Sequence, residues 1–253
     1  MLKEIVIAFQ SYVKAHRFIK KHGLWKWIII PGLLYMLMFG VSIVVFGHTA
    51  KDVVEYLITT TGLRGWVDKV NSGIVSFLFI FLLGILWMLL MLFYFSLFKY
   101  LWLIVGSPLF AYLSEKTESI MDGKDFPFSL AQLLKDMARG IRMAVRNALW
   151  QTVYTVAVII LSFVPLIGWA APVLSLFIEC YYYGFSMLDY SCERHKMGAA
   201  ESIGFIGRHK GLAIGNGFVF YLMHLVPIIG WIFAPSYAVI AATISLHHQK
   251  EKF

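Results

Sequence analysis

The sequence contains few charged residues, and this scarcity argues against a soluble protein. Only 14% of its 253 residues are Asp, Glu, Lys or Arg, while 60% are hydrophobic, whereas soluble domains carry about 25% charged residues. Residues 147–178 and 212–249 contain no Asp, Glu, Lys or Arg at all. Uncharged apolar stretches of this length are typical of segments in a lipid bilayer. The composition therefore predicts an integral membrane protein.

Cysteines and catalytic motifs are equally scarce. The two cysteines, Cys180 and Cys192, match no zinc or redox spacing, so we interpret them as free thiols. The sequence also contains no Gly-x-x-x-x-Gly-Lys-Ser/Thr loop, no Gly-x-Ser-x-Gly elbow and no His-Glu-x-x-His pair. We therefore expect a chain that is not an enzyme, with no catalytic residues, no metal, no cofactor and no nucleic-acid partner.

One short motif occurs twice inside the uncharged stretches. It reads Val-Pro-Leu-Ile-Gly-Trp at residues 164–169 and Val-Pro-Ile-Ile-Gly-Trp at residues 226–231, 62 residues later. Proline removes a backbone donor and glycine relaxes the limits on φ, so a helix bends or ends there. We predict two helical hairpins with turns at Pro165 and Gly168 and at Pro227 and Gly230. The sequence leaves open whether these hairpins cross the bilayer fully.

The pattern as a whole predicts an all-α integral membrane protein with one polytopic domain. It has two long transmembrane helices, two short or partly inserted hairpins and an amphipathic N-terminal helix. The predicted segments are an interfacial helix at 1–27, a first span at 28–46, an external loop at 47–73, a second span at 74–105, a cytoplasmic segment at 106–146, hairpin 1 at 147–188, a cytoplasmic segment at 189–211, hairpin 2 at 212–246 and a tail at 247–253.

Basic residues lie mostly on one side of this arrangement. Eighteen of the 22 Lys and Arg residues fall in the N-terminal helix, the two cytoplasmic segments and the tail. Cytoplasmic segments of membrane proteins carry such an excess of basic residues. We therefore predict that both termini lie in the cytoplasm.

The stretch Gly23-Leu24-Trp25-Lys26, just before the first span, is a candidate anion site. A helix that begins here exposes unpaired backbone N–H groups, and Lys26 adds a positive charge beside them. The alternative is anchoring at the membrane interface, a common role of Trp and Lys side chains.

Four arginines, Arg139, Arg142, Arg146 and Arg208, lie near the predicted inner ends of the hairpins. The first three continue a helical stripe that begins at Lys135, with steps of four, three and four residues. Such a stripe can attract anions toward an internal vestibule. The alternative is contact with lipid headgroups.

Glu179 is the acidic residue placed deepest in an apolar run. Acidic residues inside a membrane are costly and mark functional sites, often with a partner. We consider a role in the permeation path and, as the alternative, a structural salt bridge to Arg146, Arg208 or Lys99.

Other polar residues have simpler interpretations. We expect Asp189, Glu193 and Arg194 to form a charge network at the inner surface that holds the hairpins together. Asn216 and His224 lie inside the second hairpin, where hydrogen bonds between helices are the expected role.

Several motifs together resemble one family. They are Ser-Pro-Leu-Phe-Ala-Tyr-Leu-Ser-Glu-Lys at residues 107–116, Leu-Asp-Tyr at 188–190 followed by Glu193, Arg194 and His195, and Pro227 with Ala-Pro at 234–235 and Ala-Ala-Thr at 241–243. In this combination and order, over nearly the whole chain, they are similar to the CysZ sulfate-permease family, which is grouped with the eukaryotic etoposide-induced membrane proteins.

The resemblance implies a protein of the bacterial inner membrane that is often oligomeric. It also implies sulfate uptake that supports cysteine synthesis without ATP hydrolysis. The family's Gly-Leu-Arg-Arg element, which looks like its sulfate site, corresponds to Gly23, Leu24, Trp25 and Lys26 in this chain. Lysine cannot reproduce the planar fork with which arginine binds oxyanions, so Trp25 and Lys26 put sulfate specificity in question.

Two functions follow from these observations. The first is a permease or channel for sulfate or a related small oxyanion, with membrane lipids and further copies of the chain as partners. The alternative is a non-transporting membrane scaffold or lipid-organising protein of the same fold, in which short hairpins deform one leaflet.

Overall fold

The computed structural model describes residues 1–62, 65, 69, 73–124, 130–162 and 170–250. The regular elements in these ranges are helices. They are α1 (Leu2–His22), α2 (Trp25–Thr61), α3 (Gly73–Val105), α4 (Ser107–Asp122), α5 (Leu130–Ser162), α6 (Ala171–Arg194), α7 (Ala199–Arg208), α8 (Lys210–His224) and α9 (Ile229–Lys250). The expected all-α class is thus confirmed for the described residues, which contain no strand.

The chain divides into two compact units. The first unit comprises Met1–Met36 and Tyr100–Phe253, and the second comprises Leu37–Lys99. Among the described helices, α2 and Ile229–His247 of α9 are long and apolar enough to span a membrane. The segments Tyr94–Val105 and Ser107–Asp122 meet this criterion together, as a pair bent by 62°. The side of the membrane on which each segment lies stays a prediction.

Helix α2 is longer than the predicted first span. It continues from the predicted end at residue 46 to Thr61, so residues 47–61 are helical and not part of a loop. The charged residues of this part lie on exposed positions, where they are compatible with a helix. The helix ends at Gly62, whose φ of 63° is the left-handed conformation in which helices commonly end.

Close contact between α6 and α8 forms the centre of the first unit. Gly184 of α6 faces the backbone of Ala213, and Gly217 of α8 faces the backbone of Cys180. A Cβ added at Gly184 would lie 1.9 Å from the Ala213 carbonyl oxygen, and one at Gly217 would lie 2.0 Å from that of Cys180. Two helices can approach this closely only where both have small residues at the contact, because larger side chains would hold the backbones apart.

Helix α1 packs against α8 and α9. Its buried residues are Ala8, Ser11, Tyr12, Ala15 and Ile19. The sequence predicted an interfacial helix but did not predict that one side of α1 packs against the protein. Contact of the opposite, exposed side with lipid stays a prediction.

The second hairpin consists of α8 and α9, joined at Pro227. Ile228 follows with a φ of 64°, and the Ile229 N–H donates to the Pro227 carbonyl at 2.7 Å. Gly230 is required for packing, because an added Cβ would lie 1.8 Å from the Met223 carbonyl oxygen. The corresponding first turn, with Pro165 and Gly168, lies outside the described residues.

Candidate functional site

The turn between α1 and α2 presents the start of α2 to its surroundings. Gly23 has a φ of 64° and its N–H donates to the Ile19 carbonyl, which ends α1. Leu24 is 3% exposed and fixes the turn to the protein. Lys26 follows in the first turn of α2 and is exposed. The geometry thus places a lysine beside backbone N–H groups at a helix start, where anions bind favourably.

Trp25 occupies the same turn but faces the protein. Its ring lies edge-on to those of His16 and Phe233, with centroids 6.3 and 6.2 Å away. The Nδ1 atom of His16 is hydrogen-bonded to the Tyr237 hydroxyl at 2.8 Å. Trp25 therefore joins α1, α2 and α9 in one aromatic cluster. Contacts between such rings stabilise the packing of the three helices. Of the four candidate residues, Lys26 alone offers a charged side chain.

Basic residues dominate the sequence around this turn. No Asp or Glu occurs in residues 5–51, whereas Arg17, Lys20, Lys21 and Lys26 all lie within ten residues. All four side chains are exposed. A cluster of one charge raises the local concentration of the opposite ion. The turn is therefore suited to small anions.

The arginines of the predicted path divide into two groups. Arg139 donates to the Met197 carbonyl at 2.5 Å and pairs with Asp189 at 3.0 Å. Arg146 donates to Asn147 at 2.9 Å and lies over the ring of Phe185, 5.5 Å from its centroid. By contrast, the side chains of Arg142 and Arg208 are exposed. The exposed pair can act on mobile anions, whereas Arg139 is engaged in the protein's own ion pairs.

A buried ionic network joins α4, α5, α6 and α7. Arg194 pairs with Asp136 and, at 3.6 Å, with Glu115. Arg139 pairs with Asp189, which also accepts a hydrogen bond from Ser202. Two further contacts lie nearby: Glu193 is 3.9 Å from Arg139, and His195 is 3.0 Å from Glu118. The predicted network of Asp189, Glu193 and Arg194 on α6 thus extends to three further helices, α4, α5 and α7.

Burial changes proton affinity within this network. Desolvation raises the pKa of Glu193 from its ordinary value to about 7, although the positive charges of Arg139 and Lys135 lower it. Burial alone would lower the pKa of Arg139, but the hydrogen bond and charge of Asp189 raise it. The arginine therefore stays charged, and Glu193 titrates near neutral pH.

Glu179 is bonded to two neutral side chains. Gln151 Nε2 donates to Glu179 Oε1 at 2.5 Å, and the Tyr221 hydroxyl donates to Oε2 at 2.9 Å. The Gln151 amide is itself oriented by the Tyr100 hydroxyl, which donates to its Oε1 at 2.5 Å. Sequence reasoning missed Gln151, although its spacing of four residues from Asn147 along α5 was a usable signal.

Asn216 and His224 bond across helices as the sequence suggested. Asn216 Nδ2 donates to the Ala238 carbonyl at 2.9 Å, and the backbone carbonyl of Asn216 accepts from the Tyr12 hydroxyl at 2.9 Å. His224 Nε2 is hydrogen-bonded to the Tyr35 hydroxyl at 3.2 Å. These contacts hold α1, α2 and α9 against α8.

The fold and this turn define an α-helical membrane protein with a basic, exposed helix start. The chain belongs to the family described as sulfate transporter CysZ/etoposide-induced protein 2.4, whose model matches residues 11–235. It is similar to the sulfate transporter CysZ of Pseudomonas aeruginosa (strain LESB58), with 27% identity over 234 residues that cover 90% of this chain and 89% of the relative.

Two further relatives carry the same name. The protein of Pseudomonas paraeruginosa (strain DSM 24068 / PA7) is 26% identical over 238 residues, which cover 90% of this chain and 89% of the relative. That of Pseudomonas syringae pv. tomato (strain ATCC BAA-871 / DC3000) is 28% identical over 228 residues, which cover 87% of each. The resemblance found in the sequence motifs is thereby confirmed.

Proposed function

We propose that this protein lets sulfate or a related small oxyanion cross the bacterial inner membrane and so supports cysteine synthesis. Three relatives of nearly equal length are named sulfate transporters, and the family match covers most of the chain. The proposal includes a multi-pass arrangement with both termini in the cytoplasm and assembly into a homo-oligomer.

One observation carries the proposal: the exposed start of α2 beside Lys26, in a stretch without acidic residues. A sulfate ion here accepts hydrogen bonds from backbone N–H groups and from the ammonium group. Trp25 and Leu24 hold the turn in place from the protein side. The anion is bound by a single charged side chain, so we expect modest affinity and ready release.

Arginines beyond the turn shape the field for the anion. Arg142 and Arg208 are exposed and attract it electrostatically. Arg146 and Arg139 contribute charge from fixed positions, because each is already bonded within the first unit. Removal of an exposed arginine therefore changes the anion's rate of arrival, and removal of Arg139 changes the fold.

The second candidate is a scaffold that organises lipids without transporting an ion. Leu2, Val6, Phe9 and Val13 form an exposed apolar stripe on α1. A helix with such a stripe and neighbouring basic residues binds the surface of an anionic membrane. The packing of Trp25 within the protein also fits this candidate. Trp25 takes the position of an arginine in the family's Gly-Leu-Arg-Arg element, and it contacts His16 with its ring instead of offering a charge to an anion.

The test is sulfate flux into liposomes that contain the purified protein. Uptake of radiolabelled sulfate should saturate, and Lys26→Ala should weaken half-saturation about tenfold, the low end for a hydrogen bond to a charged group. Lys26→Arg should retain or improve binding, since arginine offers two parallel donors.

Lys3→Ala is the matched control, because Lys3 is an exposed lysine at the other end of α1. Its flux should equal that of the unchanged protein. A folded protein with no flux above empty liposomes would contradict permeation and favour the scaffold. If Lys26→Ala gave the same flux and the same half-saturation as the unchanged protein, the proposed site would be excluded.

A further inference from the structure

The second unit contains a cavity of about 590 Å³ between the C-terminal half of α2 and α3. This volume lies in the range of sites that bind small molecules. The apolar part of its wall includes Val54 and Ile58 of α2 and Trp87 of α3. The charged part consists of Lys51 and Glu55. None of these residues belongs to the candidate anion site or to the ionic network.

The apolar end of the cavity lies at the predicted border of the hydrocarbon layer. The ring of Trp87 is edge-on to that of Phe46, with centroids 5.9 Å apart. Phe46 is the last residue of the predicted first span, and α2 is long and apolar enough to cross a membrane. Tryptophan side chains are enriched where the hydrocarbon meets the lipid headgroups. The cavity therefore opens from this border toward the headgroups.

The charged end of the cavity falls at the depth of the headgroups. Lys51 follows Phe46 by five residues, which is about 8 Å along a helix, and Glu55 lies one turn further at about 14 Å. The polar layer is roughly 5–8 Å thick on each side of the hydrocarbon, and long charged side chains reach back toward it. From the membrane outward, the wall is apolar, then positive, then negative.

Lys51 and Glu55 are both available to a ligand. Their side chains are exposed, and a spacing of four residues places them on the same face of α2. In the part of the chain that the structure describes, neither forms an ion pair. The Thr59 hydroxyl donates to the backbone carbonyl of Glu55 at 2.7 Å and leaves its carboxylate unused. A negative charge beside Lys51 also disfavours a simple anion at this place.

We propose that this cavity binds the headgroup of a zwitterionic phospholipid that carries a primary amine. The lipid's phosphate pairs with the Lys51 ammonium group, and its amine, which lies further from the acyl chains, pairs with the Glu55 carboxylate. The beginning of the acyl chains lies against Trp87 and Val54. The order of groups along the lipid thus matches the order along the cavity wall. This inference does not depend on anion permeation.

The experiment titrates the purified full-length protein in detergent with three lipids that have the same acyl chains. They are phosphatidylethanolamine, phosphatidylcholine, whose amine has no N–H, and phosphatidylglycerol, which has no amine. Native mass spectrometry counts the bound lipid molecules. Phosphatidylethanolamine should bind best, because only its headgroup offers both a phosphate and an N–H donor for the carboxylate. Lys51→Ala and Glu55→Gln should each weaken its binding about three- to fivefold, as expected for exposed ion pairs.

Asp52→Asn is the matched control. Asp52 is an exposed acidic residue next to Lys51, and it is not part of the cavity wall. Its substitution changes the net charge by the same amount as Glu55→Gln but should leave lipid binding unchanged. If both variants weakened the binding equally, or if neither did, the proposal would be overturned.

A change of preference in Glu55→Gln tests the role of each charge. Without the carboxylate, the cavity keeps only Lys51, so this variant should bind phosphatidylglycerol at least as well as phosphatidylethanolamine. A damaged fold cannot produce such a gain. If the unchanged protein already preferred phosphatidylglycerol, or if sodium sulfate displaced the lipid where sodium chloride of equal ionic strength did not, the cavity would be an anion site and the proposal would be wrong.

Photochemical cross-linking locates the bound lipid. Phosphatidylethanolamine with a photoreactive group at the start of one acyl chain is irradiated in complex with the protein, and the modified peptides are identified by mass spectrometry. We expect modification of the peptides that contain residues 51–59 or Trp87. Modification confined to other parts of the chain would contradict the assigned position.

Discussion

Replacing glycine by alanine where α6 crosses α8 should destabilise the protein measurably. At Gly217 a new Cβ would lie 2.0 Å from the Cys180 carbonyl oxygen, and at Gly184 it would lie 1.9 Å from that of Ala213. Real Cβ atoms are not found closer than 3.0 Å to such atoms. The helices must therefore move apart by about 1 Å or more at this contact, and they lose packing on both sides of it.

The expected magnitude follows from two opposing terms. Inserting a methyl group into a well-packed core costs about 1–3 kcal/mol, and a backbone obstacle places this site near the upper end. Alanine also favours a helix over glycine by about 1 kcal/mol. The net loss is about 2 kcal/mol for either variant. For a chain of this size that corresponds to a fall in Tm of roughly 4–8 °C.

Thermal unfolding of the purified protein in detergent measures this fall. Gly40→Ala is the control, because Gly40 lies inside α2 with nothing within 4 Å of an added Cβ. Its Tm should stay the same or rise. The double variant Gly184→Ala/Gly217→Ala should cost less than the sum of the two, since the helices are already separated. If Gly184→Ala and Gly217→Ala had the same Tm as the Gly40→Ala control, the close crossing of α6 and α8 would be refuted.

The remaining predictions concern the polar contacts. Arg194→Met should lower stability by about 3–5 kcal/mol, because it leaves the buried carboxylate of Asp136 without its positive partner; Asp136→Asn in the same background should recover part of the loss, and no recovery would contradict the pairing. Glu193→Gln should change how stability depends on pH. Since burial raises the pKa of Glu193 to about 7, the native state binds this proton more tightly than the unfolded chain, and its stability falls as the pH rises toward 7 and beyond; the Gln variant should lack this decline, and parallel curves of Tm against pH would count against it. Tyr12→Phe should cost about 1 kcal/mol by denaturant titration, because the buried hydroxyl donates to the Asn216 carbonyl, and an unchanged midpoint would exclude that bond.

The helical class and the second hairpin could be predicted because they depend on local sequence. Uncharged runs give helices in a membrane, and Pro227 falls between α8 and α9 where the motif placed a turn. The end of α2 was harder to predict. The sequence predicted a loop from residue 47, but the exposed charges of Lys51, Asp52 and Glu55 do not end a helix, and α2 continues to Thr61.

The buried side of α1 could not be identified from hydrophobicity. Leu2 is 79% exposed, whereas Ala8 and Ala15 are 2% and 0% exposed. In a membrane protein, large apolar residues can face lipid while small residues allow helices to approach. Apolar periodicity therefore marks the wrong side of such a helix.

The partners of Arg139 show a second limit. Its place in a stripe of basic residues suggested a free charge, but Asp189, which pairs with it, is 50 residues further along the chain. Pairing across helices depends on which faces meet, and one sequence does not contain that information. The stretch Gly23–Lys26 connects α1 to the first turn of α2, so a helix begins here as the sequence suggested, but the packing of Trp25 against Phe233 depends on the same long-range information.

The packing of α1 against α8 and α9 has a consequence for biogenesis. The N–H of Gly211 donates to the Glu4 carboxylate at 3.0 Å, so the first turn of α1 binds a helix that begins about 200 residues later in the chain. At about 5–20 residues per second, α1 waits roughly 10–40 s for its partners. During this interval its Ala8 and Tyr12 face has no native cover, and a chain truncated before α8 never acquires it. Helix α1 is thus translated well before α8 and α9, and it reaches its final contacts only after they are made.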